Sequence, residues 1–341
     1  MLTKYRSRKL AALIISSICI TASPGEINSQ ELSPHVIGIT VGTAAGGGYD
    51  LTARLLARHM GRHVPGSPTL IVKNMPGAGG LRAAAFISLV APKDGSELFV
   101  MQNSVPLEEL MSPGKLKFNA SDFSWIGSVS SPASVLAMWH TANISSIDDA
   151  KRIESRIGAT TSGSTTEVFP LLSNRLLGTK FAVVSGYKIP EIDLAMERME
   201  VDGKGASSWS NYLRQNPDWV TNKKIIPLFQ VSFNRDPRIG SVPTLLELTT
   251  PGKDRAIAEI LTASEAIGRA LAGPPGMKAP AISMLRLAFD NAMKDEALLA
   301  EGEKVSADVS PISGAELADL VKLLMGKPRD LVDMYKSALQ K

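Results

Sequence analysis

The chain has 341 residues, 44% of them apolar and 21% charged, with 37 Lys+Arg against 33 Asp+Glu. That length holds about two domains of ordinary size, large enough to build a core without disulfides, and the single cysteine, Cys19, leaves no thiolate metal site downstream. Four of the basic residues (Lys4, Arg6, Arg8 and Lys9) fall in the first 23 positions, which contain no acid, so the rest balances at 33 against 33 and offers no basic footprint for nucleic acid or an anionic membrane.

Those basic residues precede the apolar run Leu10 to Ile20 and the small residues Thr21, Ala22 and Ser23. This is the order of a cleavable secretory signal peptide, and the run is too short for a permanent membrane anchor. After a polar leader, VIGITV (36–41) reads as a strand buried on both faces. GTAAGGGYD breaks it and opens a helix with Asp50 in the first turn, where a carboxylate suits the helix dipole. A second strand at 70–72 runs through PGAGG into an Ala-rich helix over 81–90, and 97–101 is a third strand. This alternation predicts a parallel sheet with its ligand site beyond the carboxyl ends of the strands.

Residues 103–124, rich in turn formers, read as loop. A strand at 135–139, a helix over 147–157, the turn GATTSGST (158–165), a helix to Leu177 and a strand at 181–184 repeat the same grammar. Pro190 to Met199 reads as helix, 201–209 as strand plus loop and 225–233 as strand, while the Pro-rich segment 242–276 reads as a loop-like return crossing. Helices over 280–293, 314–324 and 329–340 close the chain. The expected fold is α/β and bilobal, with domain 1 from 24–130 plus 265–341, domain 2 from 131–264, and a hinged cleft between them.

The glycine-rich turns carry the strongest chemical signal. A backbone without Cβ atoms can approach a ligand closely, and unpaired first-turn amides favour a negative group. The alternative is a tight strand-to-helix turn with no ligand. Nucleotide fingerprints fail on spacing: Arg82 occupies the third position of a GxGxxG pattern in PGAGGLR, and GTAAGGGYD lacks the ending of a P-loop. His59 and His63 have the i,i+4 spacing of metal ligands, but Gly61 lies between them and there is no HExxH. No GxSxG elbow surrounds Ser162 or Ser164. Neither a catalytic set, a metal site nor a cofactor site is expected.

In sequence the chain resembles the extracytoplasmic solute receptors of tripartite tricarboxylate transporters, the Bug-type periplasmic binding proteins. VGTAAGGGYDLTAR keeps Val41, Gly46, Gly47, Asp50, Ala53 and Arg54 of their V-P-F-x-x-G-G-x-x-D-x-x-A-R, and VKNMPGAGG (72–80) matches V-E-N-R-P-G-A-G-G. APKDGSEL, GATTSGS, the Tyr187-Lys188 pair, VPTLLE (242–247) and LAGPPG follow their counterparts in order. Gly42-Thr43 replaces Pro-Phe, Met75 replaces Arg, Gly186 replaces Pro, and Glu167 stands where a His is usual.

The resemblance implies a type II periplasmic-binding-protein fold and a receptor without enzymatic activity. On this reading, amides of Ala44, Ala45, Gly46, Gly47, Gly48 and Tyr49, with Asp50 beside them, and amides of Gly77, Ala78, Gly79 and Gly80 hold one carboxylate. Ser162, Gly163, Ser164, Tyr187, Lys188, Ser208 and Trp209 read the rest of the ligand from the far lobe. The expected partners are a small organic anion and the membrane permease subunits of a secondary transporter, served by a periplasmic monomer. A same-fold receptor for another transporter or a sensor kinase, an exported hydrolase using Ser164 or Asp50, and a ligand-free envelope protein are the competing readings.

Overall fold

A computed structural model describes residues 35–161, 163–305 and 307–340. The expected signal segment 1–23 and the site candidate Ser162 lie outside the described residues. VIGITV forms β1 (Val36–Val41), buried beyond Val36, and runs into helix α1 (Gly48–His59). β2 (Thr69–Asn74), α2 (Leu81–Leu89) and β3 (Glu97–Met101) follow, and both flanking strands pair in parallel with β1.

The segment expected as loop at 103–124 holds helix α3 (Ser104–Met111), and strand β4 (Ser124–Ser128) starts at its end. Val105, Leu107 and Leu110 bury one side of α3, and Pro106 sits in its first turn, where a missing N–H breaks no helical bond.

The second sheet is made from β5 (Ser134–Trp139), β6 (Ser155–Gly158), β7 (Phe181–Val184), β8 (Gly203–Ser208) and β9 (Ile225–Val231). Between them lie α4 (Ile147–Arg152), α5 (Thr165–Leu177), α6 (Ile189–Glu197), α7 (Trp209–Gln215) and α8 (Pro217–Thr221). The helix expected over 147–157 therefore stops at Arg152. Its last residues become β6, because parallel pairing with β7 on one side and β8 on the other buries Ile157.

The return segment, expected as loop, contains α9 (Leu245–Leu248), α10 (Lys253–Ile267) and β10 (Ala270–Gly273). The chain ends with α11 (Ala279–Ala292), α12 (Glu296–Lys304), β11 (Ile312–Ser313), α13 (Gly314–Met325) and α14 (Arg329–Ala338). Among the described residues no helix is long and apolar enough to cross a membrane.

The first sheet runs β11-β4-β10-β3-β1-β2 and the second β7-β6-β8-β5-β9. Taken from the parallel edge, both have the same plan. Three parallel strands, β2-β1-β3 or β7-β6-β8, are followed by an antiparallel one, β10 or β5, and then by β4 or β9. β6 thus occupies in the second lobe the place of β1 in the first, and the loops that follow these two strands are structural counterparts.

Helix α10 joins the lobes. From Ile257 onward nearly every side chain is buried, against α3, α13 and α14 of the first lobe and α5, α9 and β9 of the second. One apolar core consequently runs from Phe99 and Leu317 through Leu261 to Phe169 and Phe229. Leu261→Ala is expected to cost about 3 kcal/mol by cavity formation and to lower the urea midpoint of one transition shared by both lobes. Equilibrium unfolding followed by a fluorophore in each lobe checks this.

Candidate functional site

The β1–α1 turn is braced from within. Gly46 adopts φ +90, which a side chain rarely tolerates, and this turns its amide inward to donate to Asp50 Oδ2 at 2.8 Å. Arg54 Nε donates to the same oxygen at 2.9 Å, and Asn74 Nδ2 donates to Asp50 Oδ1 at 2.9 Å and to the Thr43 carbonyl at 3.0 Å. Burial works to raise the Asp50 pKa, but the bonds from Arg54, Gly46 and Asn74 outweigh it and hold the carboxyl below its ordinary range. Asp50 is thereby spent on the turn. The helix N-terminus beyond it has no side-chain cap at Gly47, and Gly48 and Tyr49, whose first-turn amides have no helical partner, border the cleft.

A second turn stands beside it. Gly80, at φ +94, lies so close to Gln102 that a Cβ there would sit 2.0 Å from Oε1, and Gln102 Nε2 reaches back to the Gly42 carbonyl at 3.3 Å. Ala78 is held at φ +47, a left-handed conformation costing an alanine about 1 kcal/mol. Ala78 and Gly79 both border the cleft.

The facing wall repeats the device. In the loop after β6, Gly163 has φ +78 and donates its amide to Glu167 Oε2 at 2.8 Å, four residues on in the first turn of α5. Glu167 therefore plays for α5 the part that Asp50 plays for α1, and the residue that departs from the family pattern at this point acts as a brace. Thr166 Oγ1 accepts from the Thr160 amide at 2.9 Å and bonds Ser164 Oγ at 2.8 Å. Thr160, Thr161, Gly163, Ser164 and Thr165 present a hydroxyl-rich surface around a second uncapped helix start.

Between the walls is a cleft of about 800 Å³. Its floor carries Asn103, Glu265 and Arg269, and its far side Lys204 and Ser207. Tyr49 Oη donates to Asn103 Oδ1 at 2.9 Å, Asn103 Nδ2 to Glu265 Oε1 at 2.7 Å, and Ser134 Oγ to Glu265 Oε2 at 2.6 Å. This chain of bonds links the first turn of α1 to the inter-lobe helix α10 and to the first residue of β5. Burial pushes the Tyr49 phenol up to about 12 and raises the Glu265 carboxyl. Lys204, almost fully buried, donates to Asp193 at 2.7 Å.

Of the residues singled out from the sequence, the cleft gathers Gly47, Gly48, Tyr49, Ala78, Gly79, Gly163, Ser164 and Ser208. Ala44, Ala45 and Gly46 are exposed on the outer part of their loop, while Gly77 and the buried Gly80 shape the second turn from outside the cleft lining. Lys188 points to solvent at the start of α6 and pairs with Glu191 at 3.1 Å. Trp209 is buried against Tyr212 with ring centroids 6.0 Å apart, and Tyr187 packs on the same apolar cluster. Gln102, Asn103, Glu265 and Arg269 were not legible as site residues; the helix that carries Glu265 and the strand that Arg269 precedes both read as loop. His59 and His63 pair with Glu301 at 2.5 Å and Asp295 at 2.8 Å. None of the four histidines borders the cleft.

No protein-family model matches the chain, and no curated protein matches it in sequence. Solved structures do match. A TctC solute binding protein from Polaromonas, without ligand, superposes with a TM-score of 0.65 at 19% identity, over 88% of this chain and 98% of its own. MatC from Rhodopseudomonas palustris with bound malate gives 0.63 at 18%, over 89% and 99%. The R. palustris protein Rpa4515 with adipate gives 0.66 at 16%, over 89% and 98%. The chain has the bilobal α/β fold of these solute-binding proteins over nearly the whole of their length.

Asp50→Asn is expected to cost about 2 kcal/mol at neutral pH by weakening three charge-assisted bonds. Because the folded-state pKa lies below the ordinary 3.8, the wild-type advantage is complete above that value and is lost as pH falls through the depressed one. Urea melts of both proteins near pH 7 and pH 3 measure the difference.

Proposed function

We propose that the protein is an extracytoplasmic receptor of the tripartite tricarboxylate-transporter type, which captures a small carboxylate between its lobes. The observation that carries this reading is the pair of uncapped helix starts, α1 and α5, opening onto one cleft from opposite walls. Each supplies unpaired amides and the positive end of a helix dipole, and each is kept in place by its own internal carboxylate. A ligand with anionic groups at both ends, a dicarboxylate or related organic acid, suits such a pair. The cleft volume falls within the range typical of small-molecule sites.

Malate and adipate in two proteins of the same fold support the ligand class, and the ordered sequence motifs support the family. The lobes, 24–130 plus 265–341 and 131–264, close about the two crossings, and the closed form of the monomer is handed to membrane permease subunits in the periplasm. Closure requires contacts made only when both walls touch the ligand. Ser164 Oγ is bonded to Thr166 and Asp50 to its turn, which leaves neither poised as a nucleophile or base.

In a thermal-shift screen, di- and tricarboxylates are expected to raise the melting temperature, whereas neutral sugars leave it unchanged. Stabilisation by sugars alone would contradict the reading. Gly47 has φ −82, which valine accepts, and nothing lies within 4 Å of an added Cβ. Gly47→Val should therefore fold normally by far-UV circular dichroism while losing roughly tenfold or more in carboxylate affinity.

A further inference from the structure

Arg269 precedes β10, at the end of the sheet where β3 delivers its chain to the cleft: Ala270 pairs antiparallel with Met101, and the Arg269 amide donates to the Ser130 carbonyl at 2.8 Å. Its side chain runs beneath the start of α1. A Cβ built on Gly48 would sit 2.9 Å from Arg269 Nη2, so the guanidinium lies directly against the first residue of α1. Arg269 borders the cleft yet is only 6% exposed. Among the described residues, its guanidinium has no hydrogen bond and no carboxylate within ion-pair range.

This placement is unfavourable in the ligand-free protein for two separate reasons. A charge this deeply buried gives up most of its hydration and, without a protein partner, recovers little of it. A cation at a helix N-terminus also faces the positive end of the dipole. The charged groups that bear on Arg269 relieve it only in part. Asp308 acts favourably but forms no ion pair with it, giving Oδ1 to Arg238 at 2.7 Å and leaving its buried Oδ2 without a partner; Tyr49 Oη is committed to Asn103, and Arg214 opposes it with like charge. Glu265, four residues earlier, spends its two oxygens on Asn103 and Ser134. Burial accordingly draws the Arg269 pKa down.

A single occupant satisfies both features. An anionic group at the Gly48 and Tyr49 amides would meet the uncapped dipole from one side and the guanidinium from the other. We propose that Arg269 is the charged half of the anion site, pairing directly with the ligand carboxylate that the first turn of α1 holds. The inference deepens the receptor reading and rests on it for the ligand class. It adds that affinity depends on a full negative charge at this end: backbone amides alone also accept a neutral carbonyl, but a buried guanidinium discriminates against one.

The test compares wild type, Arg269→Lys, Arg269→Gln and Arg269→Met by calorimetric titration with malate, adipate and adipamide, and by melting of each protein without ligand. Wild type is expected to bind a dicarboxylate and not the diamide. Arg269→Gln should lose about a hundredfold, Arg269→Lys less, and ligand-free Arg269→Met should melt at or above the wild-type temperature. If wild type binds a dicarboxylate and Arg269→Gln binds it within about threefold, the proposal is overturned and the receptor reading stands. If wild type binds neither acid, the ligand class fails, and the ligand-free melts decide the arginine. A melting temperature for Arg269→Met at or above wild type supports an uncompensated guanidinium, and one several degrees lower overturns it by tying the group to the fold, with Asp308 as its partner.

Discussion

The carboxylate of Asp50 accepts at once from the Gly46 amide, the Arg54 guanidinium and the Asn74 side chain, and through these bonds the end of β1, the start of α1 and the end of β2 are set in one geometry. A strand that turns into a helix within a few residues must leave its first-turn amides unpaired. Asp50 decides which remain so. By drawing Gly46 inward it leaves the amides of Gly48 and Tyr49 facing the cleft. Glu167 does the same for α5 through Gly163. The two acids are thus structural, and their effect on any ligand is to aim neutral backbone groups with fixed dipoles.

This shared device follows from the shared plan of the two sheets. β1 and β6 are both central parallel strands, each flanked by two parallel neighbours. The loop after each therefore emerges at the same place relative to its sheet. The lobes face one another, so the loops meet across the cleft. The bonds from Tyr49 through Asn103 and Glu265 to Ser134 then place the first turn of α1, the inter-lobe helix and the second sheet in one continuous structure.

The parallel half of the first sheet, β1 to β3, was legible in the sequence because its cues agree. Continuous β-branched runs mark β1 and β2, glycines mark the turns, and Asp50 marks the helix start. The loops of the cleft were legible for the same reason. The floor was not. Helix α10 is buried on nearly all sides, so it lacks the one-sided apolar stripe by which a surface helix is recognised, and Pro251 before it and Pro274 after it resemble loop punctuation. With that helix read as loop, Glu265 and Arg269 had no address. Tyr187, Lys188 and Trp209, to which motif similarity also points, lie outside the cleft lining: Trp209 and Tyr187 join an apolar cluster and Lys188 makes a local ion pair. Chemistry that depends on contacts distant in sequence is invisible until the sheets are assembled.

The central claim, that helix-start amides on both walls grip one small carboxylate, is tested most directly by following backbone amide shifts in isotopically labelled protein as malate or adipate is added. The account predicts that the largest changes fall at Gly47 to Tyr49, at Ala78 and Gly79, and at Thr165 and Thr166, saturating together at one ligand per chain. Saturable changes confined to other surfaces, or no response to either acid alongside a response at these amides to a neutral sugar, would contradict it.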